Sequence, residues 1–146
     1  MLKVEKVSSH VVRPLRHKVL RPNLPLEASI MPTDDQHDSA HFMVKKSGNI
    51  LCVASIYYES FEAMPVKRAT RLRGMATEAA EIRKGYGTMV LNGVIQYLKM
   101  ETDTEILWCN ARVTAFGFYE KMGFTIVGKE FAIPNLGPHK TGYFKL

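Results

Sequence analysis

The sequence predicts an α/β (α+β) domain with a single mixed sheet of about six to seven strands and helices on both faces. Short apolar or alternating segments, typical of strands, recur along the whole chain. Segments with helical spacing lie between them. The segment 105–109, which is continuously apolar after Glu105, is typical of a strand covered on both faces. A length of 146 residues then favours one domain, residues 1–146.

The first part of the chain is predicted to form a strand, two helices and a hairpin. Ser8 or Ser9 can cap the first helix, where Pro14 is acceptable in the first turn. Pro22 and Pro25 end that helix, because proline disfavours helical backbone in the residue before it. The predicted elements are a strand at 2–7, a helix at 12–20, a short helix at 27–31, and strands at 41–44 and 50–58 around a turn at 45–49.

The second part is predicted to alternate strands and helices. Gly85 and Gly87 form a turn that opens a helix, whose apolar residues recur at helical spacing from Val90 to Leu98. Gly123 is suited to the position just beyond the end of a helix. The predicted elements are a strand at 71–77, a helix from the turn to about 100, a strand at 105–109, a helix at 114–122, and strands at 124–128 and 139–146.

Composition restricts the class of partner. The formal net charge of +6 favours anionic partners, but the basic residues are scattered, which favours a small anion over nucleic acid. The absence of an apolar run of about 18 residues predicts no membrane span, and the charged N-terminus does not resemble a signal peptide. Cys52 and Cys109 lie in apolar segments, which favours buried free thiols and a cytoplasmic location.

The turn at 83–88 is a candidate phosphate site. Backbone N–H groups at the start of a helix have no partner within the helix, and the positive end of the helix dipole lies beside them. Arg83 and Lys84 add charge, and Gly85 and Gly87 allow an anion to approach the backbone. A glycine turn before a helix is by itself more often a plain loop, so the prediction depends on the motifs that follow it.

Those motifs resemble the GCN5-related N-acetyltransferase (GNAT) family. The family pattern YxKxGF is matched at Tyr119, Lys121, Gly123 and Phe124, at a suitable distance after the glycine turn. Further segments resemble the glyphosate N-acetyltransferase-type enzymes within that family. They are Arg21-Pro22-Asn23 with Pro25, Leu72-Arg73-Gly74-Met75-Ala76-Thr77, Leu107-Trp108-Cys109-Asn110-Ala111-Arg112 and Gly137-Pro138-His139.

The resemblance implies transfer of an acetyl group from acetyl-CoA to an amine, directly within a ternary complex. It implies that the glycine turn holds the pyrophosphate, and that the pantetheine arm lies between the strands ending at Thr77 and Asn110. The backbone N–H of Met75 would be the oxyanion donor, Tyr119 the general acid and His139 the general base. The predicted coenzyme A residues are Met75, Ala76, Thr77, Arg83, Lys84, Gly85, Tyr86, Gly87, Thr88 and Asn110.

Arg21, Arg73 and Arg112 are the candidate acceptor-binding residues. A guanidinium binds a carboxylate or phosphonate through two parallel hydrogen bonds, which lysine cannot reproduce. Strand alternation places Arg73 on the same face as Met75, beside the thioester. The predicted acceptor is therefore a small amine that carries one or more acidic groups. No histidine or cysteine pair has convincing metal-ligand spacing, so no metal is predicted.

Several alternatives stay open from the sequence. Tyr119 fits a core aromatic, His139 fits a surface histidine, and single arginines are most often solvated. Another acceptor, such as a peptide, a polyamine or an aminoglycoside, would make this a different GNAT enzyme. A non-catalytic acyl-CoA-binding or nucleic-acid-binding module is a third possibility. Ile82 stands where the family often has Gln or Arg, and the oligomeric state, monomer or homodimer, is undetermined.

Overall fold

Seven strands form one sheet in a computed structural model, which describes residues 2–146. Their spatial order is β1-β2-β3-β4-β5-β7-β6, and every neighbouring pair is antiparallel except β4 and β5. The predicted fold class is therefore confirmed. The strands are β1 (Glu5–Val7), β2 (Ala40–Lys46), β3 (Asn49–Tyr58), β4 (Ala69–Thr77), β5 (Ile106–Arg112), β6 (Thr125–Ile133) and β7 (Gly137–Lys145). The helices are α1 (Ser9–Leu20), α2 (Tyr86–Glu101) and α3 (Phe116–Lys121), with 3-10 turns at Leu26–Ser29, Ala79–Glu81 and Val113–Ala115.

The helices cover opposite faces of the sheet. Val12 and Leu15 of α1 pack against Met43, Val53 and Ala76, which define the α1 face. Helices α2 and α3 pack on the other side, the α2 face, because alternate strand residues point to opposite faces. The core residues of the α2 face include Phe42, Val44, Cys52, Ala54, Ile56, Leu72, Val90, Leu91, Val94, Leu98 and Tyr119.

Helix α1 begins three residues earlier than predicted. It starts at Ser9, so Pro14 lies beyond the first turn, where a prolyl residue removes one helical hydrogen bond. Pro14 and His10 are both exposed, and water can therefore bind the carbonyl that Pro14 leaves unpaired. The predicted helix at 27–31 is only a 3-10 turn, consistent with its short length between loop residues.

The β2–β3 turn is shorter than predicted. Ser47 and Gly48 alone connect the strands, with φ values of 52° and 81°. Two consecutive left-handed residues match the right-handed twist of a hairpin, so the strands continue up to them. Strands β6 and β7 are also longer than predicted, because each pairs with a neighbour along its polar segments.

Strand β4 pairs irregularly with both of its neighbours. Its pairing with β5 extends only from Ala69 to Arg71, after which the two strands separate. On the other side the register with β3 shifts, so that Arg73 pairs with Ser55 and Ala76 pairs with Val53. Two β4 residues thus lie opposite one β3 residue, which is a β-bulge. Gly74 in the bulge has a φ of 62°, which favours glycine.

The bulge moves Met75 to the opposite face from Arg73. Arg73 pairs with Ser55, whose side chain contacts α1, and therefore lies on the α1 face. Met75 packs against the core of the α2 face. The prediction that Arg73 and Met75 share a face is wrong, because the extra residue in the bulge reverses the alternation after Gly74.

Candidate active site

A cleft of about 260 Å³ opens where β4 and β5 separate. It is lined by residues of α1, β4, β5, α3 and the β6–β7 hairpin, and none of its lining residues within 2–146 carries a carboxylate. Seven of the residues predicted from the sequence lie together around it. They are Arg21, Arg73, Met75, Asn110, Arg112, Tyr119 and His139.

Arginines dominate the cleft. Arg21, Arg73 and Arg112 form no ion pair with any carboxylate in residues 2–146. Burial lowers the pKa of Arg73, and the nearby positive charges of Arg71 and Arg21 lower it further. Converging cations without a counter-ion are unfavourable unless an anion binds between them. The cleft is therefore electrostatically suited to an anionic ligand.

His139 has one ring nitrogen available to the cleft. Its Nδ1 lies 2.8 Å from the carbonyl oxygen of Gly137. A carbonyl oxygen can only accept, so Nδ1 donates this hydrogen bond, and Nε2 is the ring nitrogen that has no partner in residues 2–146. The ring stacks beside Phe131 at 5.9 Å between centroids, and His139 pairs with Arg112 across β7 and β5. These contacts orient an imidazole that can accept a proton beside a cationic site.

Tyr119 lies on the α2 face of the same opening. Its hydroxyl donates to Met75 Sδ at 3.8 Å, and sulfur is a weak acceptor. Burial raises the pKa of Tyr119 well above its usual value, so the phenol keeps its proton. The arrangement leaves a protonated hydroxyl available for a stronger acceptor, as a general acid requires.

A buried polar network beneath the cleft escaped the sequence prediction. Arg16 donates to both carboxylate oxygens of Asp34, at 2.9 and 3.2 Å, and to Ser55 Oγ at 2.8 Å. Tyr57 donates to the same carboxylate. Arg16 is 1% exposed and Asp34 is 3% exposed, so this charge pair is shielded from water. The network joins α1, the loop before β2, and β3 directly below Arg73.

Hydrogen bonds keep the Asp34 carboxylate charged. Burial alone would raise its pKa, but hydrogen bonds from Arg16, Tyr57 and the Met31 N–H lower the pKa of Asp34 to about 2. His41 joins the network through Ser55 Oγ at 2.7 Å and the Asp34 carbonyl oxygen at 2.8 Å, and burial lowers its pKa. A neutral His41 and an anionic Asp34 are therefore the favoured states.

The network also contacts the β4 bulge. A Cβ atom added to Gly74 would lie 2.8 Å from Arg16 Nε, which makes no hydrogen bond in residues 2–146. Helical spacing from Val12 through Leu15 to Arg16 places Arg16 on the buried face of α1, so this arginine could have been found from the sequence. Asp34 lies in a loop without periodicity and gave no comparable signal.

The predicted phosphate loop lies at the start of α2. Arg83 and Gly85 have φ values of 63° and 88°, a pattern that makes successive N–H groups converge. Lys84 forms an ion pair with Glu81 at 3.0 Å, whereas Arg83 makes none in residues 2–146. The Ile82 side chain is 55% exposed and does not fill the loop. The loop geometry is thus carried by backbone, and the residue at position 82 does not obstruct it.

The side chains of three other predicted coenzyme A residues lie in different surroundings. Ala76 packs against α1, and Thr77 Oγ1 donates to Cys52 Sγ at 3.3 Å on the α2 face. Asn110 Oδ1 accepts from Thr141 Oγ1 at 3.1 Å, which places that amide on the α1 face with Arg112. These side chains are engaged within the protein, so a contact with pantetheine would use their backbone groups.

Comparison with known proteins decides the family. The model of the Acetyltransferase (GNAT) family matches residues 10–124. This chain belongs to the GNAT family. It is 32% identical over 144 residues to the uncharacterized N-acetyltransferase YitI of Bacillus subtilis (strain 168), covering 98% of this chain and 95% of YitI. The chain is accordingly an acetyl-CoA-dependent N-acetyltransferase.

Solved structures show the same fold at low sequence identity. ElaA of Escherichia coli superposes with a TM-score of 0.78 at 16% identity, covering 98% of this chain and 99% of ElaA. A protein of known structure from Lactobacillus plantarum gives a TM-score of 0.80 at 13% identity, covering 99% of this chain and 98% of that one. These likenesses confirm the predicted GNAT fold. Helices in residues 2–146 are too short or too polar to span a membrane.

Proposed function

We propose that this GNAT enzyme acetylates the amine of a small acidic substrate that bears a carboxylate or a phosphonate. One observation carries the proposal: Arg21, Arg73 and Arg112 border a single cleft without a carboxylate partner in residues 2–146, beside His139. A cationic acceptor such as a polyamine would be repelled there. The cleft volume of about 260 Å³ also favours a small molecule.

The acceptor would be held and deprotonated from the α1 face. Paired N–H groups of Arg73, Arg21 and Arg112 bind the acidic group and leave the amine directed toward the opening between β4 and β5. His139 Nε2 takes the proton from the ammonium, and Nδ1 keeps its bond to the Gly137 carbonyl oxygen.

Acetyl-CoA supplies the acetyl group as an activated thioester. The N–H groups of residues 83–88 would hold its pyrophosphate, and the left-handed Arg83 and Gly85 support this assignment. Backbone groups of Met75, Ala76, Thr77 and Asn110 would hold the pantetheine arm, since β4 and β5 leave their facing edges unpaired. The Met75 N–H would donate to the carbonyl oxygen, and Tyr119 would donate to the departing sulfur.

Direct transfer in a ternary complex is favoured over a covalent enzyme intermediate. Cys109 is the thiol that lines the cleft, and burial raises its pKa to about 12. A thiol with so high a pKa supplies very little thiolate at neutral pH. Cys52 is wholly buried, and burial raises its pKa as well.

The proposal includes one domain over residues 1–146, which the continuous sheet from β1 to β6 favours. It also includes a cytoplasmic enzyme, which the free buried thiols favour. The motifs around Arg21, Arg73, Asn110 and His139 favour kinship with glyphosate N-acetyltransferase-type enzymes. Either a monomer or a homodimer is compatible with a cleft built from one chain.

A thiol-release assay with acidic, neutral and basic amines tests the substrate class. We expect acidic amines to be acetylated with the highest kcat/KM. Arg73→Gln should raise KM for them by about 30- to 1000-fold, because a buried charge pair is lost, while KM for acetyl-CoA stays unchanged. Preference for polyamines or aminoglycosides would contradict the proposal. Coenzyme A binding by calorimetry without turnover of any amine would instead indicate a non-catalytic module.

A further inference from the structure

Arg16 is a buried residue at the base of the cleft that has no role in the scheme above. It is 1% exposed, and its side chain extends from α1 to the bulge of β4. A Cβ atom added to Gly74 would lie 2.8 Å from its Nε, 3.5 Å from its Cδ and 3.6 Å from its Cγ. The stem of Arg16 therefore fills the space that a side chain at position 74 would take, and it packs directly on the backbone of the bulge.

The Arg16 guanidinium is fixed by hydrogen bonds from both of its terminal nitrogens. Nη1 donates to the Ser29 carbonyl oxygen at 2.7 Å and to Asp34 Oδ2 at 2.9 Å. Nη2 donates to Asp34 Oδ1, Ser55 Oγ and Tyr57 Oη at 3.2, 2.8 and 3.2 Å. These five protein acceptors occupy the four hydrogens of the terminal nitrogens, so none of those hydrogens is left for a ligand. Arg16 is therefore suited to hold the structure in place and not to bind a substrate.

The same side chain contacts both strands at the bulge. Ser55 of β3, which accepts from Arg16, pairs with Arg73 of β4. Ser55 is wholly buried and is also bonded to His41 Nδ1 at 2.7 Å, so its position is fixed from two sides. The stem of Arg16 packs on Gly74, the next residue of β4. An arginine anchored at Ser55 therefore limits how far the Gly74 backbone can move.

The contact between Arg16 and Gly74 is steric. Arg16 Nε is buried and has no hydrogen-bond partner in residues 2–146, so hydrogen bonding does not explain its position. Residues in a bulge are not held by the regular ladder of hydrogen bonds, and glycine has the widest choice of backbone conformations. Packing of the arginine stem excludes those conformations that would move the bulge toward α1.

We propose that Arg16 is a positioning residue, which fixes the Gly74–Met75 peptide so that the Met75 N–H is directed into the opening between β4 and β5. The inference rests on the proposed function, in which that N–H donates to the developing oxyanion, but it does not depend on the charge of the acceptor. An oxyanion donor must lie about 2.7–3.1 Å from the oxygen that becomes charged. A displacement of about 1 Å can lower the rate about 100-fold. Arg16 thus acts on the chemical step through the backbone of β4.

Two conservative variants on the same helix test the role of Arg16. Arg16→Lys keeps a positive charge beside Asp34 but lacks Nε and the planar fork. We expect it to lower kcat about 10- to 100-fold and to leave both KM values within about threefold, because the donor is misplaced only for the transition state. Arg13→Lys is the control, since Arg13 Nε also lies 3.4 Å from Asp34 Oδ2 but Arg13 does not line the cleft. Its kcat should equal the wild-type value.

Backbone amide spectra test the mechanism apart from activity. In ¹H–¹⁵N spectra of the free protein, the cross-peaks of Gly74 and Met75 should move in Arg16→Lys and stay in place in Arg13→Lys. A double-mutant cycle adds a kinetic test. Arg16→Lys combined with Gly74→Ala should lower kcat by less than the product of the two separate effects, because both changes act on one peptide. Independent effects would contradict the proposal.

The outcomes separate this inference from the proposed function. The role of Arg16 is overturned by an unchanged kcat in Arg16→Lys, by an equal fall in Arg13→Lys, or by a rise in the acceptor KM without a fall in kcat. The kinetics use the best acceptor from the thiol-release assay, whatever its charge. A preference for basic amines therefore contradicts the proposed function and leaves the comparison of the two variants valid.

Tyr57→Phe replaces Arg16→Lys if that variant does not fold. It removes one hydroxyl that accepts from Arg16, and it removes no charge. We expect a fall in kcat of about threefold, smaller than for Arg16→Lys because the other four acceptors stay, and movement of the same two amide cross-peaks. The absence of both changes overturns the role of Arg16.

Discussion

The two faces of β4 differ in the side chains that they present. On the α1 face the strand presents charged groups, with Arg71 and Arg73 above the buried Arg16–Asp34 pair. On the α2 face it presents Leu72 and Met75 to an apolar core that also contains Tyr119. In the proposed scheme, the acceptor binds on the face that carries these arginines, and acetyl-CoA binds on the face with apolar packing and exposed backbone.

The bulge at Gly74 makes this division possible on one strand. Without it, Arg73 and Met75 would face the same way. With it, the Arg73 side chain and the Met75 side chain leave the strand in opposite directions within three residues.

Asp34→Ala should destabilise the α1 face most. The change leaves Arg16 charged and without its carboxylate in a site that is 1% exposed, and we expect a loss of about 3–5 kcal/mol in the free energy of unfolding. Urea unfolding at pH 7 measures it. Asp103→Ala is the control, because Asp103 pairs with Arg68 at 3.0 Å but is 83% exposed. A cost of at most about 1 kcal/mol is expected there, and equal costs would contradict the assignment.

Acid should weaken the same network in two steps. The lowered pKa of His41 means that folded-state stability is lost as pH falls below 6.5, because the unfolded chain binds the proton more readily. The pKa of about 2 for Asp34 means a further loss of about 2 kcal/mol as pH falls from 3.8 to 2. Urea unfolding of His41→Gln, measured from above pH 6.5 down to pH 2, should lack the loss of stability that begins below pH 6.5 in the wild type. Stability that rises toward acid would contradict both assignments.

Gly74→Ala should disturb both faces at once. A methyl group would meet Arg16 Nε at 2.8 Å, and alanine disfavours a φ of 62°. We expect kcat to fall tenfold or more, because Arg73 and Met75 both shift. Gly48→Ala has the same backbone strain at a φ of 81° with no atom within 4 Å, and should leave kcat unchanged. A wild-type kcat in Gly74→Ala would show that the bulge does not position the reacting groups.

Gly85→Ala should affect the cofactor alone. Gly85 has a φ of 88° and no atom within 4 Å of an added Cβ, so strain in the loop is the expected consequence. A cost of about 1 kcal/mol corresponds to a fivefold rise in KM for acetyl-CoA, with no change for the acceptor. Gly128→Ala, with a φ of 82° and equally open space, is the control. A rise in the acceptor KM would contradict the division between faces.

From the sequence alone, the order of the elements and seven of the residues that line the cleft could be predicted. Hydrophobic periodicity marked the strands and helices, because alternation and helical spacing follow from local backbone geometry. The motifs at Arg21, Arg73, Asn110–Arg112, Tyr119 and His139 identified side chains that the structure brings to one opening. Their chemical roles remain predictions, and their proximity is a finding.

The division of those residues between the two faces depends on the tertiary structure. The bulge at Gly74 and the early end of β4–β5 pairing come from contacts between strands that are distant in sequence, so strand alternation mispredicted Met75. The Arg16–Asp34 network depends on burial and on a partner 18 residues away along the chain, and the Arg71–Glu59 ion pair depends on a partner 12 residues away. Residue type and spacing carry no information about such long-range partners, and only the folded chain brings them together.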